Sequence, residues 1–284
     1  MRRTLLILGL ALVIGVVGLS SCSRTILFPG QFSAAWAPTD IGLERVGTRL
    51  IETADGETIE LWVFQGAETD APQAVLYFHG NGGMTRQVAR RLDDMRNRSG
   101  RAVYAPVYRG YGGSSGKPSE KGLMEDARAA LAVYRAETGL EEPFLYGLSM
   151  GTGVASRLAE EQEIAALVLE APFSSLPDAA KAQVPFLPAR LIVRDKFRTA
   201  GRIARIDAPL LILHGDRDGV VKYRLGRKVF ANAVEPKRFV TLKGGGHHDL
   251  WERGGAAVVL DWLAAVEAGE APVGDLEIEA APTR

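Results

Sequence analysis

Tyr146-Gly147-Leu148-Ser149-Met150-Gly151-Thr152-Gly153 reads Gly-x-Ser-x-Gly, and what flanks it decides how the chain folds. A short apolar run, Pro143-Phe144-Leu145-Tyr146, precedes it, and a helix-compatible segment, Gly151 to Glu160, follows. A serine on a sharp turn from strand to helix is held in a strained backbone conformation. The positions two places either side crowd together there, so Gly147 and Gly151 are expected because they lack a Cβ. Such a turn projects the Ser149 hydroxyl clear of the backbone. It also sets the free N–H groups of a helix start beside any developing oxyanion. In a chain with 32 glycines the motif alone is weak, so the rest of the chain must supply partners.

The 284 residues allow one large domain or two small ones. Hydrophobic content of 46% and charged content of 24% are those of a globular protein. With 34 basic and 34 acidic residues, no charge excess points to nucleic acid or to disorder. A single cysteine, Cys22, excludes an internal disulfide and a zinc site built on cysteines.

The N-terminus reads as a targeting segment, residues 1–21. Met1-Arg2-Arg3 is basic, Leu5 to Leu19 is apolar or small, and Ser20-Ser21-Cys22 follows. The run is on the short side for a membrane-spanning helix. Leu19-Ser20-Ser21-Cys22 resembles the lipobox of bacterial lipoproteins, a resemblance that implies cleavage before Cys22 and a lipid on it. In that class Ser23, in place of an acidic residue, implies the outer membrane. An uncleaved anchor helix is the other reading, and both put the domain outside the cytoplasm on a membrane. Residues 22–42 then form a tether, kept short because Thr25-Ile26-Leu27-Phe28 is already apolar.

Farther along, Arg45 to Glu52 and Thr58 to Phe64 are expected as an edge hairpin through Ala54-Asp55-Gly56. Ala74 to Phe78, Ala102 to Ala105, Phe144 to Tyr146, Ala166 to Leu169, Leu210 to Leu213 and Phe239 to Leu242 have the length and composition of buried parallel strands. Helical patterns lie between them: Met84 to Arg98, Leu123 to Thr138, Gly151 to Glu160, Val220 to Ala231, and finally Asp249 to Ala268. This alternation predicts an α/β fold with a doubly wound, mostly parallel sheet and an antiparallel N-terminal edge. Residues 173–206 break the rhythm with Pro177, Pro185 and Pro188, and read as a short cap insertion. Its Phe186, Leu187, Leu191 and Ile192 are expected to build an apolar acyl pocket. The tail, 269–284, is rich in Ala, Pro, Gly and acid and reads as disordered.

A serine hydroxyl needs a histidine to take its proton and a carboxylate to orient that histidine. In doubly wound hydrolases the order along the chain is Ser, acid, His. The Leu210–Leu213 run leads into His214-Gly215-Asp216-Arg217-Asp218, and Phe239–Leu242 leads into Gly244-Gly245-Gly246-His247-His248-Asp249. Both stand where the architecture requires them.

Together with His79-Gly80-Asn81-Gly82-Gly83 and Tyr108-Arg109-Gly110-Tyr111-Gly112-Gly113-Ser114-Ser115-Gly116, these motifs make the chain resemble an α/β-hydrolase fold serine hydrolase over roughly residues 43–268. It is similar to the subgroup with His-Gly-Asn and Arg-Gly-Tyr-Gly turns and a short cap, often membrane-anchored. The resemblance implies Ser149 as nucleophile, Asp218 as acid from His-Gly-x-x-Asp, and His247 as base from Gly-x-Gly-His. It implies an oxyanion hole from the backbone N–H groups of Asn81 and Met150. One departure is Val220-Val221-Lys222 where the family often has Val-Pro. Asp216 and Glu170 remain as other acids and His248 as another base. His79 is expected to order the oxyanion loop, His214 to be a satisfied buried histidine, and Arg109 to pin neighbouring loops or else bind an anion.

No Gly-x-Gly-x-x-Gly follows the first strand, no P-loop ending is present, and the four histidines lack zinc-hydrolase spacing. No cofactor or metal is expected. The reading is a membrane-tethered, exported serine hydrolase of esters or thioesters, its partners an ester substrate and the membrane. A peptidase, an acyltransferase and a catalytically silent binding module are the alternatives.

Overall fold

A computed structural model describes residues 24–67, 73–186 and 188–282. The signal segment, Cys22 and Leu187 lie outside these. In chain order the elements are β1 (Val46–Glu52), β2 (Thr58–Phe64), β3 (Val75–Phe78), α1 (Arg86–Ser99), β4 (Val103–Pro106), α2 (Glu120–Thr138), β5 (Phe144–Leu148), α3 (Met150–Glu161) and β6 (Ala166–Glu170). They continue with α4 (Leu176–Gln183), α5 (Ala189–Ile192), α6 (Thr199–Arg202), β7 (Leu210–Gly215), α7 (Tyr223–Asn232), β8 (Lys237–Lys243), α8 (Ala256–Glu267) and β9 (Gly274–Glu279).

The nine strands form one sheet in the order β1-β2-β4-β3-β5-β6-β7-β8-β9. β1–β2 and β2–β4 pair antiparallel, and every other pair is parallel. This is the expected doubly wound sheet with an antiparallel edge. All residues of β3, β4, β6 and β7 are buried, as their uninterrupted apolar runs require. β4 lies on one side of β3 and β5 on the other, so the chain reverses its winding at β3. The crevice beyond the carboxyl ends of β3 and β5 is where such a sheet binds ligands. The loops carrying Asn81 and Ser149 leave from those two ends.

Helix boundaries follow local chemistry. Thr85 caps α1 by accepting from Val88 N–H, and Ser119 caps α2 by accepting from Gly122 N–H. Gly100 and Gly139, both left-handed, end these helices. The helix expected from Val220 starts only at Tyr223, because Asp218 Oδ1 takes the Val220 and Val221 N–H groups at 2.8 and 2.7 Å. The final helix is broken near its start. Gly254 at φ 118° interrupts a tight turn over Trp251–Gly255, and α8 begins after it.

Two boundary expectations are corrected. Gly274–Glu279 in the tail is ordered as β9, paired parallel with β8. Composition hid its alternation: Leu276 and Ile278 pack on the core while Asp275 and Glu277 meet Arg227 and Lys243. Residues 24–42 are not a free tether either. Phe28 is fully buried, Leu27, Trp36 and Ile41 pack against the core, and two short turns, Pro29–Phe32 and Pro38–Ile41, carry the chain over it.

Candidate active site

Ser149 sits between β5 and α3 at φ 50°, ψ −113°, the strained turn expected of the motif. The glycines serve close approach. A Cβ on Gly147 would lie 2.6 Å from the Gly151 carbonyl oxygen, and one on Gly151 would collide with the Phe78 carbonyl of the neighbouring strand. Crowding is therefore partly between the two glycines and partly against β3.

His247 Nε2 lies 3.0 Å from Ser149 Oγ, and His247 Nδ1 lies 2.7 Å from Asp218 Oδ2. Asp218 and His247 are buried, whereas Ser149 is half-buried and open to a cavity of about 310 Å³. Burial pulls the Asp218 carboxyl upward, but hydrogen bonds from His214 and His247 hold it well below the usual carboxylate range. It stays an anion able to stabilise an imidazolium.

The other candidates are placed elsewhere. Asp216 Oδ1 accepts from Gly244 N–H at 2.6 Å and ties the loops after β7 and β8 together. Glu170, at the end of β6, is buried in a two-pronged pair with Arg91 and accepts from the Tyr146 hydroxyl. Arg91 lies over the Trp251 ring at 4.7 Å and lines the cavity floor. Glu170→Ala would strand that buried guanidinium. We expect it to lower unfolding free energy by about 3–5 kcal/mol, read by urea titration. A loss under about 1 kcal/mol would show that the pair is solvated.

His248 is exposed on the cavity rim, its ring edge-on to His247 at 4.8 Å. His214 is buried as expected but only half satisfied. Its Nε2 reaches the Val221 carbonyl at 3.0 Å and Asp218 Oδ2 at 3.4 Å, while Nδ1 has no partner. Arg109 pins loops: it pairs with Asp126 (Nε–Oδ1 2.8 Å) and, through both terminal nitrogens, with Asp55 at 2.7 and 2.8 Å.

His79 organises the loop after β3. Its Nδ1 donates to Gly80 O at 2.7 Å, and its Nε2 accepts from Tyr108 N–H at 3.3 Å. Full burial lowers its pKa to about 4, so the ring is neutral and both bonds hold. An exposed imidazole titrates near 6.5, so between these limits the unfolded chain binds more protons. The stability from this site is complete above 6.5 and is lost as pH falls toward 4, by up to ~3 kcal/mol. Urea unfolding from pH 7.5 to 4.5 should show this decline, and His79→Gln should flatten it. Equal slopes would remove His79 as its cause.

Gly80 packs against Ser149, a Cβ there falling 3.5 Å from Ser149 Cβ, which brings Asn81 beside the serine. Met150 opens α3, so its N–H has no acceptor within the helix. The cavity is walled by the loop Gly80–Gly83, by Thr85, Gln87 and Val88 at the start of α1, and by Leu148, His247, His248 and Glu252. Among the described residues none of 173–206 lines it, which corrects the expectation of an acyl pocket built by Phe186, Leu191 and Ile192 of the cap. Phe186 is 97% exposed and Leu191 70% exposed. Ile192 is buried, and Phe197 fills the space over Gly153, so these two anchor the insertion to the body. Arg91 and Thr85 escaped the sequence reading of the site; only the fold brings α1 and its cap to the serine. Among the described residues no cluster could hold a metal ion.

Comparison with known proteins bears on the family and the fold. The chain is 36% identical over 229 residues to an uncharacterized protein of Mycobacterium tuberculosis, covering 80% of each. It is 30% identical to alpha/beta hydrolase domain-containing protein 17B of Xenopus tropicalis, covering 76% of this chain and 74% of that one. A Pyrococcus furiosus esterase superposes with a TM-score of 0.64 at 21% identity, over 83% of this chain and 94% of the other. Residues 73–201 match the family model described as alpha/beta hydrolase fold. With the sheet order, the reversal at β3 and these relatives in agreement, the chain belongs to the alpha/beta hydrolase fold family.

Proposed function

We propose that the protein is a serine hydrolase of carboxylic esters or thioesters, held at a membrane of the cell envelope through a lipid on Cys22. The observation that carries the catalytic reading is the chain of contacts from Asp218 through His247 to Ser149, at 2.7 and 3.0 Å. His247 takes the Ser149 proton as Oγ attacks the acyl carbonyl carbon. The Asn81 and Met150 N–H groups hold the oxyanion, each worth ~3 kcal/mol of barrier. The intermediate collapses, and the alcohol or thiol leaves with the proton from His247. Water, deprotonated by His247, then attacks the acyl-enzyme and releases the acid. A cavity of about 310 Å³ is at the small end for ligand sites, which favours a small acyl group over a polypeptide.

The test is hydrolysis of a chain-length series of p-nitrophenyl esters by the full-length chain in detergent, together with fluorophosphonate labelling. Turnover with labelling of Ser149 is expected. A folded chain that neither labels nor turns over any ester would reject the reading.

The lipobox-like Leu19-Ser20-Ser21-Cys22 supports the anchor. Radiolabelled palmitate should be incorporated in a bacterial host, and Cys22→Ser should abolish it. Unchanged labelling would sink the lipoprotein assignment and leave the apolar run Leu5 to Leu19 as the anchor.

A further inference from the structure

The described chain begins as a strap laid over the loop that carries Asn81. Arg24 Nε pairs with Asp195 Oδ2 at 2.9 Å, and Phe28 is fully buried. Gly30 N–H then donates to the Asn81 carbonyl at 3.1 Å, and the same oxygen accepts from the Tyr111 hydroxyl at 3.1 Å. Gly30 is pressed on the Tyr111 ring so closely that a Cβ would overlap it. Farther on, Trp36 Nε1 donates to the Met84 carbonyl at 2.9 Å, with its ring edge-on to Trp62 at 4.9 Å.

The two peptide planes at Asn81 are therefore fixed from different sides. The plane holding the Asn81 N–H is set by His79 Nδ1 on the Gly80 carbonyl. The plane holding the Asn81 carbonyl is set by Gly30 and Tyr111. Gly80, Gly82 and Gly83 give this loop little stiffness of its own. An oxyanion donor must be held to a fraction of an ångström, since a misplacement of about 1 Å costs on the order of a hundredfold in rate.

We propose that residues 24–41 are a positioning strap for the oxyanion donor, with Gly30, Trp36 and Tyr111 as positioning residues. This rests on the reading of Asn81 N–H as that donor. The segment through which the chain would be attached to a membrane is then the same one that holds the site in order, so attachment and catalytic geometry share one element.

The test uses the full-length chain in detergent. Trp36→Phe keeps an aromatic ring, though a smaller one, and removes the donor, Tyr111→Phe removes the hydroxyl, and Gly30→Ala forces the strap off Tyr111. For p-nitrophenyl acetate, kcat should fall about tenfold in Gly30→Ala and less in the other two, with KM within about twofold. Affinity for a trifluoromethyl ketone, whose serine adduct needs the oxyanion donors, should weaken in parallel. The pH profile of kcat/KM should not move, because His247 and Asp218 are untouched. Should Gly30→Ala fail to fold, the Trp36→Phe and Tyr111→Phe pair decides by the same readouts. Unchanged kcat with a lowered melting temperature would make the strap mere packing and overturn the proposal. A rise in KM alone would assign it to substrate binding and overturn it equally. Turnover that survives Ser149→Ala would overturn both this inference and the reading beneath it. Wild-type kcat in all strap variants, with turnover still dependent on Ser149, would overturn the strap alone.

Discussion

Ser149→Ala is expected to lower kcat for a p-nitrophenyl ester by on the order of a million-fold while leaving the melting temperature within a few degrees of wild type. The two halves of this expectation have different causes. Chemistry is lost because Oγ is the atom that becomes bonded to the acyl carbon, and neither His247 nor water can take its place at comparable rate. Stability is kept because alanine fits the same backbone. The main-chain bond from Ser149 N–H to the Glu170 carbonyl, 2.9 Å, needs no side chain. Only the hydrogen bond to His247 disappears, and the half-buried site lets water replace it. Steady-state kinetics and a thermal melt on the same sample check both. Turnover retained within about a hundredfold would refute Ser149 as the nucleophile.

His247→Ala and His248→Ala should separate by at least about four orders of magnitude in kcat, though the residues are adjacent in sequence. His247 is buried between Asp218 and Ser149, with both ring nitrogens engaged. His248 is exposed, its ring roughly perpendicular to that of His247 and its carbonyl accepting from Gln87 Nε2, and has its pKa lowered chiefly by partial burial and then by His247. Its removal is expected to cost less than tenfold. The His247 variant should stay folded, because Asp218 keeps the Val220 and Val221 N–H groups and the nearby His214. Equal losses in the two variants would reverse the assignment of the base. A buried, ionised Asp218 also means that any acid limb in kcat/KM reports another group, since its carboxyl is held well below the usual range.

How much of this was legible beforehand depends on the range of the interaction. Apolar runs of strand length and the glycines flanking Ser149 act within a few residues, so the chain itself specified the alternating elements and the turn that exposes the hydroxyl. The order of serine, carboxylate and histidine, each beyond a strand end, was likewise written in the sequence. Local signals misled where composition masked period: Asp275, Glu277 and Glu279 made an edge strand look like a solvated tail. They also misled where apolarity implied a pocket, since Phe186 and Leu191 face outward.

The resemblance favoured Asp218 over Asp216 and Glu170, but only the tertiary structure supplies the contacts that separate the three. All three stand at or beyond the ends of neighbouring strands, and what separates them is who else arrives there. Gly244 N–H from the loop after β8 takes Asp216, and Arg91 from α1 takes Glu170. Asp218 alone of the three is within hydrogen-bond reach of His247, 29 residues away in sequence. The hold of Gly30 on Asn81, between two loops that no periodicity connects, belongs to the same class. Such pairings are set by how the sheet twists and which loops meet above its carboxyl edge, a property of the packed molecule that no single stretch of chain encodes.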